Sequence, residues 1–256
     1  MNFSFSFEGL IWNAVIVPLQ KILILEVRDE KKRQVSFSAL QYESKSFFWQ
    51  NHRLTERWWI GLLAARDSVV LFHKYNEAGN PDRLTVLAMD FYSRKILWKK
   101  ENFSFHDFTP GGIIGFSGSE QSHQEVLDPL SGEQVDYPEK LDFGNDKISD
   151  PLRPFQYLEG TPFFETVRSF LKKVGIAPVV AAEYLDYQEL IIISYYVKEE
   201  NGLINFLLVL DKNGGTLLNE KIAEGLKGIG ADTFFILPGY LFYVRNRNEF
   251  FSYKIV

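Results

Sequence analysis

A short motif that recurs along the chain constrains its fold more than any other feature. Leu87-Ala88-Met89-Asp90-Phe91-Tyr92-Ser93-Arg94-Lys95-Ile96-Leu97-Trp98 reads as an apolar strand running into Asp, a short turn, and a second strand closing on Trp. Ala39 to Trp49 repeats it with Gln41 in place of the Asp, Val126 to Glu133 repeats its first half around Asp128, and Val209 to Thr216 does so around Asp211. From Gln41 to Asp90, Asp128 and Asp211 the marker advances by 49, 38 and 83 residues. The last gap is close to two periods of about 42, and periods of roughly 40 to 50 that each hold several strands are what propeller blades require. A four-stranded blade cannot bury both of its faces without neighbours. The pattern predicts an all-β chain folded as a β-propeller.

Taken in order, the chain supplies the strands. Asn2 to Phe7 alternates Phe with polar residues and reads as a strand with one buried face. Its expected partner is the final blade, which it would join to close the ring. Leu10–Val17, Ile22–Val27, Val35–Leu40 and Phe47–Trp49 make a first blade, and Trp58–Ala65, Val69–Tyr75, Leu84–Phe91 and Ile96–Trp98 a second. Gly, Asn and Pro fall between these runs where turns are needed, as in Pro18-Leu19-Gln20-Lys21 and Gly79-Asn80-Pro81-Asp82. A third blade runs from Phe103–Phe108 through Ile113–Phe116 and Gln124–Leu127 to Gln134–Tyr137. A fourth uses Val179–Tyr187, Leu190–Val197, Ile204–Leu210 and Thr216–Ile222. A fifth has only Asp232–Leu237, Tyr240–Val244 and Phe250–Ile255, one strand short, which the N-terminal strand would make good.

Between the third and fourth blades the pattern breaks. Leu141 to Pro154 is polar and carries two prolines, and Thr161-Pro162 then opens the one helical stretch, with Thr161 as N-cap and Pro162 in the first turn. Phe163, Val167, Phe170, Leu171 and Val174 share one face, Lys172 and Lys173 suit the C-terminal end of the dipole, and Gly175 is the expected stop. The expectation is one domain over residues 1–256: five four-stranded blades, with an insertion at 141–176 that holds an α-helix near 162–174. The count becomes six if the insertion hides a worn repeat.

Composition narrows the function classes. The charge is −5 and the basic residues form no long block, so a nucleic-acid footprint is not supported. The absence of cysteine excludes disulfides, thiolate metal sites and cysteine nucleophiles. The aromatic content, with 23 Phe, 12 Tyr and 5 Trp, suits flat-packed sheets. The apolar stretch Leu10 to Val27 is broken by Asn13, Pro18, Gln20, Lys21 and Glu26, which argues against a signal sequence or a membrane span and makes the cytoplasm the expected location, the periplasm remaining an alternative.

The Ala88-Met89-Asp90 to Lys95-Ile96-Leu97-Trp98 pattern resembles the quinoprotein-type (PQQ-like) propeller repeat, in which an Ala-Leu-Asp strand leads through a turn to a Trp strand. The resemblance implies that Trp49 and Trp98 fill gaps between neighbouring blades and that Asp90, Asp128 and Asp211 bond the backbone of their turns. It does not bring the quinone, because those enzymes use a larger ring and adjacent cysteines. As a whole the chain is similar to an uncharacterised Bacteroidetes family of unknown function, most visibly in Leu25-Glu26-Val27-Arg28-Asp29-Glu30 and Ile191-Ile192-Ile193-Ser194-Tyr195-Tyr196.

No catalytic signature accompanies the repeat. His52, His73, His106 and His123 lack metal-ligand spacing and read as surface or hairpin residues, Gly111-Gly112 and Gly214-Gly215 lack the context of a phosphate loop, and no nucleophile elbow is present. No metal or cofactor is expected. Loops at the channel mouth of a propeller are the usual place for a site. The candidates there are Arg53, Arg57, His106, Asp107, Glu183, Asp186, Arg245 and Arg247. The expected function is a non-enzymatic binding module for a partner protein or a polar ligand. The alternative is a carbohydrate-active hydrolase with two of Asp107, Glu183, Asp186 and Asp232 facing each other across a sugar. A purely structural subunit, exchanging its N-terminal strand with a second copy, is the third reading.

Overall fold

The computed structural model describes residues 3–17, 20–76, 84–117, 123–136 and 151–255. The expected turn at Pro18 and Leu19, the Gly79–Asp82 loop, Tyr137 and the polar run from Leu141 to residue 150 lie outside them. The chain divides into two compact units, Gly9–Ile148 and Met1–Glu8 with Ser149–Val256.

The first unit holds three antiparallel meanders, each the up-and-down, four-stranded form from which propeller blades are built. Sheet one is β2 (Leu10–Val17), β3 (Ile22–Asp29), β4 (Gln34–Gln41) and β5 (Ser46–His52), paired in that order. Sheet two is β6 (Ile60–Arg66), β7 (Val69–Tyr75), β8 (Leu84–Asp90) and β9 (Ile96–Glu101). Sheet three is β10 (Phe103–Thr109), β11 (Gly112–Ser117), β12 (His123–Leu127) and the two-residue β13 (Gln134–Val135). The middle strands are buried on both faces, which is why they read as near-continuous apolar runs such as Ile22-Leu23-Ile24-Leu25. Ile24, Phe37 and Trp49 of sheet one pack on Leu62, Phe72 and Met89 of sheet two, with Phe37 and Phe72 edge to face at 4.7 Å. Val69, Leu71 and Trp98 of sheet two pack in turn on Phe103, Ile113 and Leu127 of sheet three.

The repeated motif is the joint between these sheets. The Asp90 carboxylate accepts the Ser93 N–H at 2.7 Å, Asp128 accepts those of Ser131 and Leu130 at 2.7 and 3.0 Å, and Asp211 accepts those of Asn213 and Gly215 at 2.8 Å each. These bonds hold the Asp90 and Asp128 carboxyls below the ordinary carboxylate value, through the Ser93 side chain and backbone in the first and the Ser131 N–H in the second. The residues after Asp90 and Asp128 offer their carbonyls to the preceding repeat: the Trp49 indole donates to Phe91 O at 3.0 Å, and that of Trp98 to Pro129 O at 2.9 Å. Gly132 lies under the Trp98 ring at φ 72°, and a Cβ there would come within 2.6 Å of it.

A second feature also recurs in this unit. The first strand of each sheet carries one extra residue relative to its partner: Trp12 between Ile11 and Asn13, Leu63 between Leu62 and Ala64, and His106 between Phe105 and Asp107. Such bulges release a residue from the ladder and re-aim its side chain.

The second unit holds a five-stranded sheet of β14 (Phe155–Leu158), β15 (Ala181–Tyr187), β16 (Leu190–Glu199), β17 (Gly202–Asp211) and β18 (Thr216–Leu226). It also holds the sheet in which β1 (Phe3–Ser6) lies outside β21 (Glu249–Lys254), followed by β20 (Tyr240–Arg245) and β19 (Phe234–Leu237). The N-terminal strand thus pairs with the last strand of the chain, Phe5 opposite Phe250, as the missing fourth strand led us to expect. Cross-strand rings stiffen that sheet, with Phe235 on Phe242 at 5.2 Å and Tyr243 on Phe251 at 5.1 Å.

Two expectations for residues 151–176 are corrected. Phe155–Leu158, between the expected polar run and the expected helix, forms an edge strand that makes the expected four-stranded sheet five-stranded, and Leu152 makes an isolated bridge to Ile236. The helix α1 spans Phe164–Lys173, and its N-cap is Phe163 at φ 64° with no capping side chain. Thr161 is spent elsewhere, its hydroxyl donating to Leu158 O at 2.6 Å and accepting the Leu158 N–H at 3.0 Å. The left-handed Phe163 throws its ring outward to 72% exposure, and Phe164 takes the buried place with Val167 and Leu171. The C-terminus is as expected: Ile176 N donates to Leu171 O and Gly175 N to Lys172 O, the paired bonds that end a helix on glycine.

Candidate functional site

Within the first unit, a cavity of about 320 Å³ opens between the starts of sheets one and two. Its walls are Trp12, Trp58, Trp59 and Tyr75, with Glu26, Arg28 and His73 at their base. The bulge in β2 frees Trp12 from the ladder, and its ring is 60% exposed. Trp58 and Trp59 precede β6, where the Glu56 carboxylate accepts both of their backbone N–H groups at 3.1 Å; Trp59 is 45% exposed.

The base is an ion pair built into the strand ladder. Glu26 and Arg28 are two apart on β3 and therefore share a face. Arg28 Nε donates to Glu26 Oε1 at 2.6 Å, and its two terminal nitrogens donate to Trp58 O at 3.1 Å and Ile60 O at 2.8 Å. The other Glu26 oxygen accepts the Leu62 N–H at 2.6 Å, and Asn13 Nδ2 donates to Leu62 O at 3.0 Å, so sheet one grips sheet two on both sides of Leu62. The Arg28 guanidinium lies 5.4 Å from the Trp12 ring centre and 5.3 Å from that of Trp58, and Arg33 lies 5.5 Å from Trp58.

Burial pushes the Glu26 carboxyl above its ordinary value, against the pull of the Leu62 N–H and Arg28. Burial, and then the Arg28 charge, holds the His73 imidazole below its ordinary value, which leaves it neutral at pH 7. His73 stands edge-on to Tyr75 at 5.2 Å, and its ring lies close over Gly61, where an added Cβ would come within 2.7 Å of it. The expectation that the four histidines are surface or hairpin residues is corrected for His73 and His52, which are partly buried within strands, His52 with an Nε2 that has no hydrogen-bond partner. His106 and His123 are exposed. Among the described residues, no group of three or more His, Asp or Glu side chains is placed to hold a metal ion.

The residues singled out from the sequence are spread over both units. In the first, Arg53 is exposed, and Arg57 donates to Gln34 Oε1 at 3.2 Å. His106 is the bulge residue of β10, edge-on to Phe116 at 5.7 Å, and Asp107 accepts the Phe108 N–H at 2.7 Å. In the second unit, Glu183 is buried and accepts the N–H groups of Asp232 and Thr233 at 2.6 and 3.2 Å, together with the Thr233 hydroxyl. Burial raises its pKa against those donors. Asp186 pairs with Lys212 at 2.6 Å, Asp232 with Arg153 at 3.2 Å, and Arg245 with Glu220 and Glu249, while Arg247 is exposed in a turn at φ 63°. Three of the four carboxylates considered for hydrolysis are thus engaged by cations or backbone of the second unit.

The residues that line the cavity were missed, although Asn13 and Glu26 stand out as polar breaks in an apolar stretch. The family model described as Domain of unknown function (DUF4905) matches residues 16–98, less than half of the chain. That span contains Glu26, Arg28, Trp58, Trp59 and His73 but not Trp12. No curated protein matches the chain. Among solved structures, BamB from Moraxella catarrhalis is similar at 9% identity and a TM-score of 0.34, over 96% of this chain and 85% of its own. The β-propeller domain of the Trilobed protease from Pyrococcus furiosus is similar at 11% identity and 0.33, over 96% and 69%. A glycosyl hydrolase from Bacteroides ovatus follows at 9% and 0.29, over 98% and 85%. Nothing about the activity of this chain follows from likeness at that level. Among the described residues, no helix is long and apolar enough to cross a membrane.

Proposed function

We propose that this chain is a non-enzymatic binding module of β-propeller architecture, which takes a polar small ligand in the cavity walled by Trp12, Trp58, Trp59 and Tyr75. In this reading residues 1–256 are one domain, the five sheets are its blades, β1 closes the ring through its pairing with β21, and the 141–176 insertion contributes β14 and α1.

The carrying observation is that large indole faces stay in water around a buried, fully built ion pair. Trp12 is 60% and Trp59 45% exposed, whereas the tryptophans needed for packing, Trp49 and Trp98, are buried. A concave, mostly aromatic surface with a few convergent polar groups is the usual form of a small-ligand site, and 320 Å³ lies at the low end of the range for such sites, roughly 300 to 1,000 Å³. Binding is favoured over hydrolysis because glycoside cleavage calls for two carboxyl groups. The cavity wall supplies one, Glu26, and both of its oxygens are already bonded.

The test is thermal unfolding of the 256-residue chain against glycans, nucleotides, divalent metals and small metabolites. A ligand that binds only the folded state adds about 2.7 kcal/mol at a hundred times its dissociation constant. One chemical class should raise the Tm of the wild type and leave that of Trp59→Ala unmoved. Silence from every class, or a rise that Trp59→Ala preserves, counts against a ligand in this cavity.

A further inference from the structure

We infer that the guest of this cavity is a carbohydrate, a sugar ring laid against the open faces of Trp12 and Trp59. The inference rests on the reading of the cavity as a binding site and names the chemical class that fits it.

The occupancy of the rings selects that class first. The Arg28 guanidinium already lies over both Trp12 and Trp58, at 5.4 and 5.3 Å from their centres, and Arg33 lies over Trp58. A flat heterocycle gains most when it is clasped between two rings, and here the molecule's own arginine fills that place. A cationic guest, the usual occupant of an aromatic cage, would have to displace Arg28 from two indoles and from Glu26. What stays open is single faces of exposed indole. A saturated sugar ring suits a single face, because one side presents C–H groups to the π-system while its hydroxyl edge remains available for hydrogen bonds.

Charge and hydrogen-bonding capacity narrow it further. The Arg28 charge is answered by Glu26 at 2.6 Å, and Arg33 is exposed, so its field is screened by solvent. The cavity therefore carries no uncompensated buried charge of the kind a phosphate or carboxylate guest would call for. The unspent polar capacity is small and mixed. Arg28 uses three of its five N–H groups on Glu26, Trp58 and Ile60, and Asn13 uses one amide N–H on Leu62. The neutral His73 imidazole adds one donor and one acceptor. Hydroxyl groups, each both donor and acceptor, match such a set. The room available is that of a short oligosaccharide end rather than a long chain.

The experiment is saturation-transfer difference NMR on the 256-residue chain with cellohexaose, maltohexaose, xylohexaose, mannohexaose and chitohexaose in turn. Saturation should pass from the protein to ring C–H protons of at least one of them. Trp12→Ala and Trp59→Ala should each weaken that sugar by about tenfold or more, while Phe48→Ala, which removes an exposed ring that does not line the cavity, should bind it as the wild type does. No transfer to any of the five sugars, or transfer that survives both tryptophan variants, overturns the inference. If a nucleotide or metabolite instead stabilises the wild type but not Trp59→Ala, the cavity remains a binding site and the carbohydrate class falls. If neither assay detects a guest, both readings fall.

Discussion

Trp49 and Trp98 on one side, and Trp12 and Trp59 on the other, put the same side chain to opposite uses within one unit of the molecule. The first pair is exposed by only 7% and 8%, and each indole N–H is spent on a carbonyl in the next sheet. The second pair stands 60% and 45% in water, and among the described residues no protein carbonyl takes either indole N–H. The repeat tryptophans recur because every junction between sheets poses the same packing problem. The cavity tryptophans stand outside the Asp-to-Trp motif, one on a bulge and one in the segment before β6. Packing accounts for the first pair completely, whereas the second pair buries little surface and Trp12 contributes only its contact with Arg28.

The hardest test of that contrast is truncation at the junction. Trp49→Ala should cost roughly 3 to 5 kcal/mol, because it deletes a buried ring and strands the Phe91 carbonyl, and Trp49→Phe should recover all but about 1 to 2 kcal/mol of that. Urea unfolding followed by circular dichroism reads both. A midpoint for Trp49→Ala within error of the wild type would show that the repeat tryptophan is no more structural than the cavity ones.

A smaller effect is expected from the base of the cavity. The folded-state pKa of His73 lies below the ordinary value of 6.5, with burial as the first cause, so the unfolded chain takes up the proton more readily. Stability linked to His73 is then fully present above about pH 6.5 and is lost as pH falls toward the folded-state value. Unfolding free energies between pH 7.5 and 5 should decline more steeply for the wild type than for His73→Gln. Equal slopes would mean that the imidazole is not buried as described. His52, which burial also holds low, provides the matching control outside the cavity.

The smallest effect is expected at the exposed rings. Trp12→Ala removes a contact with Arg28 but little buried surface, and should cost less than about 1 kcal/mol. A loss as large as that of Trp49→Ala would make Trp12 a packing residue and remove the basis for a ligand there.

The sequence made the junctions legible because they repeat. Asp90, Asp128 and Trp98 recur with a common neighbourhood, and the turn bonds of the two Asp residues are those that the resemblance to the propeller repeat implies. The spare alternating strand at the N-terminus and the three-stranded final sheet likewise announced each other, since an unpaired edge and a missing strand are complementary deficits. The helix start was misread because Thr161 satisfies a strand-end turn, leaving the left-handed Phe163 as N-cap, a backbone choice that residue type does not encode. The cavity was missed because its aromatic members come from a bulge and from a segment that leads into a strand. A bulge adds one residue without any change in composition, so Trp12 reads as one more apolar residue of its strand. Only Asn13 and Glu26, polar breaks in a stretch that is otherwise apolar, signalled that something there needed explaining.

The bulges at Trp12, Leu63 and His106 have a consequence for how this scaffold can be altered. Each occupies the same stage of its sheet and stands outside the backbone ladder, so exchanging its side chain breaks no strand pairing and shifts no register. Where that side chain is also exposed, as at Trp12 and His106, the position is an interchangeable socket. A lineage, or an engineer, can rewrite it to change what is recognised while the junctions made by Trp49 and Trp98 hold the frame unchanged.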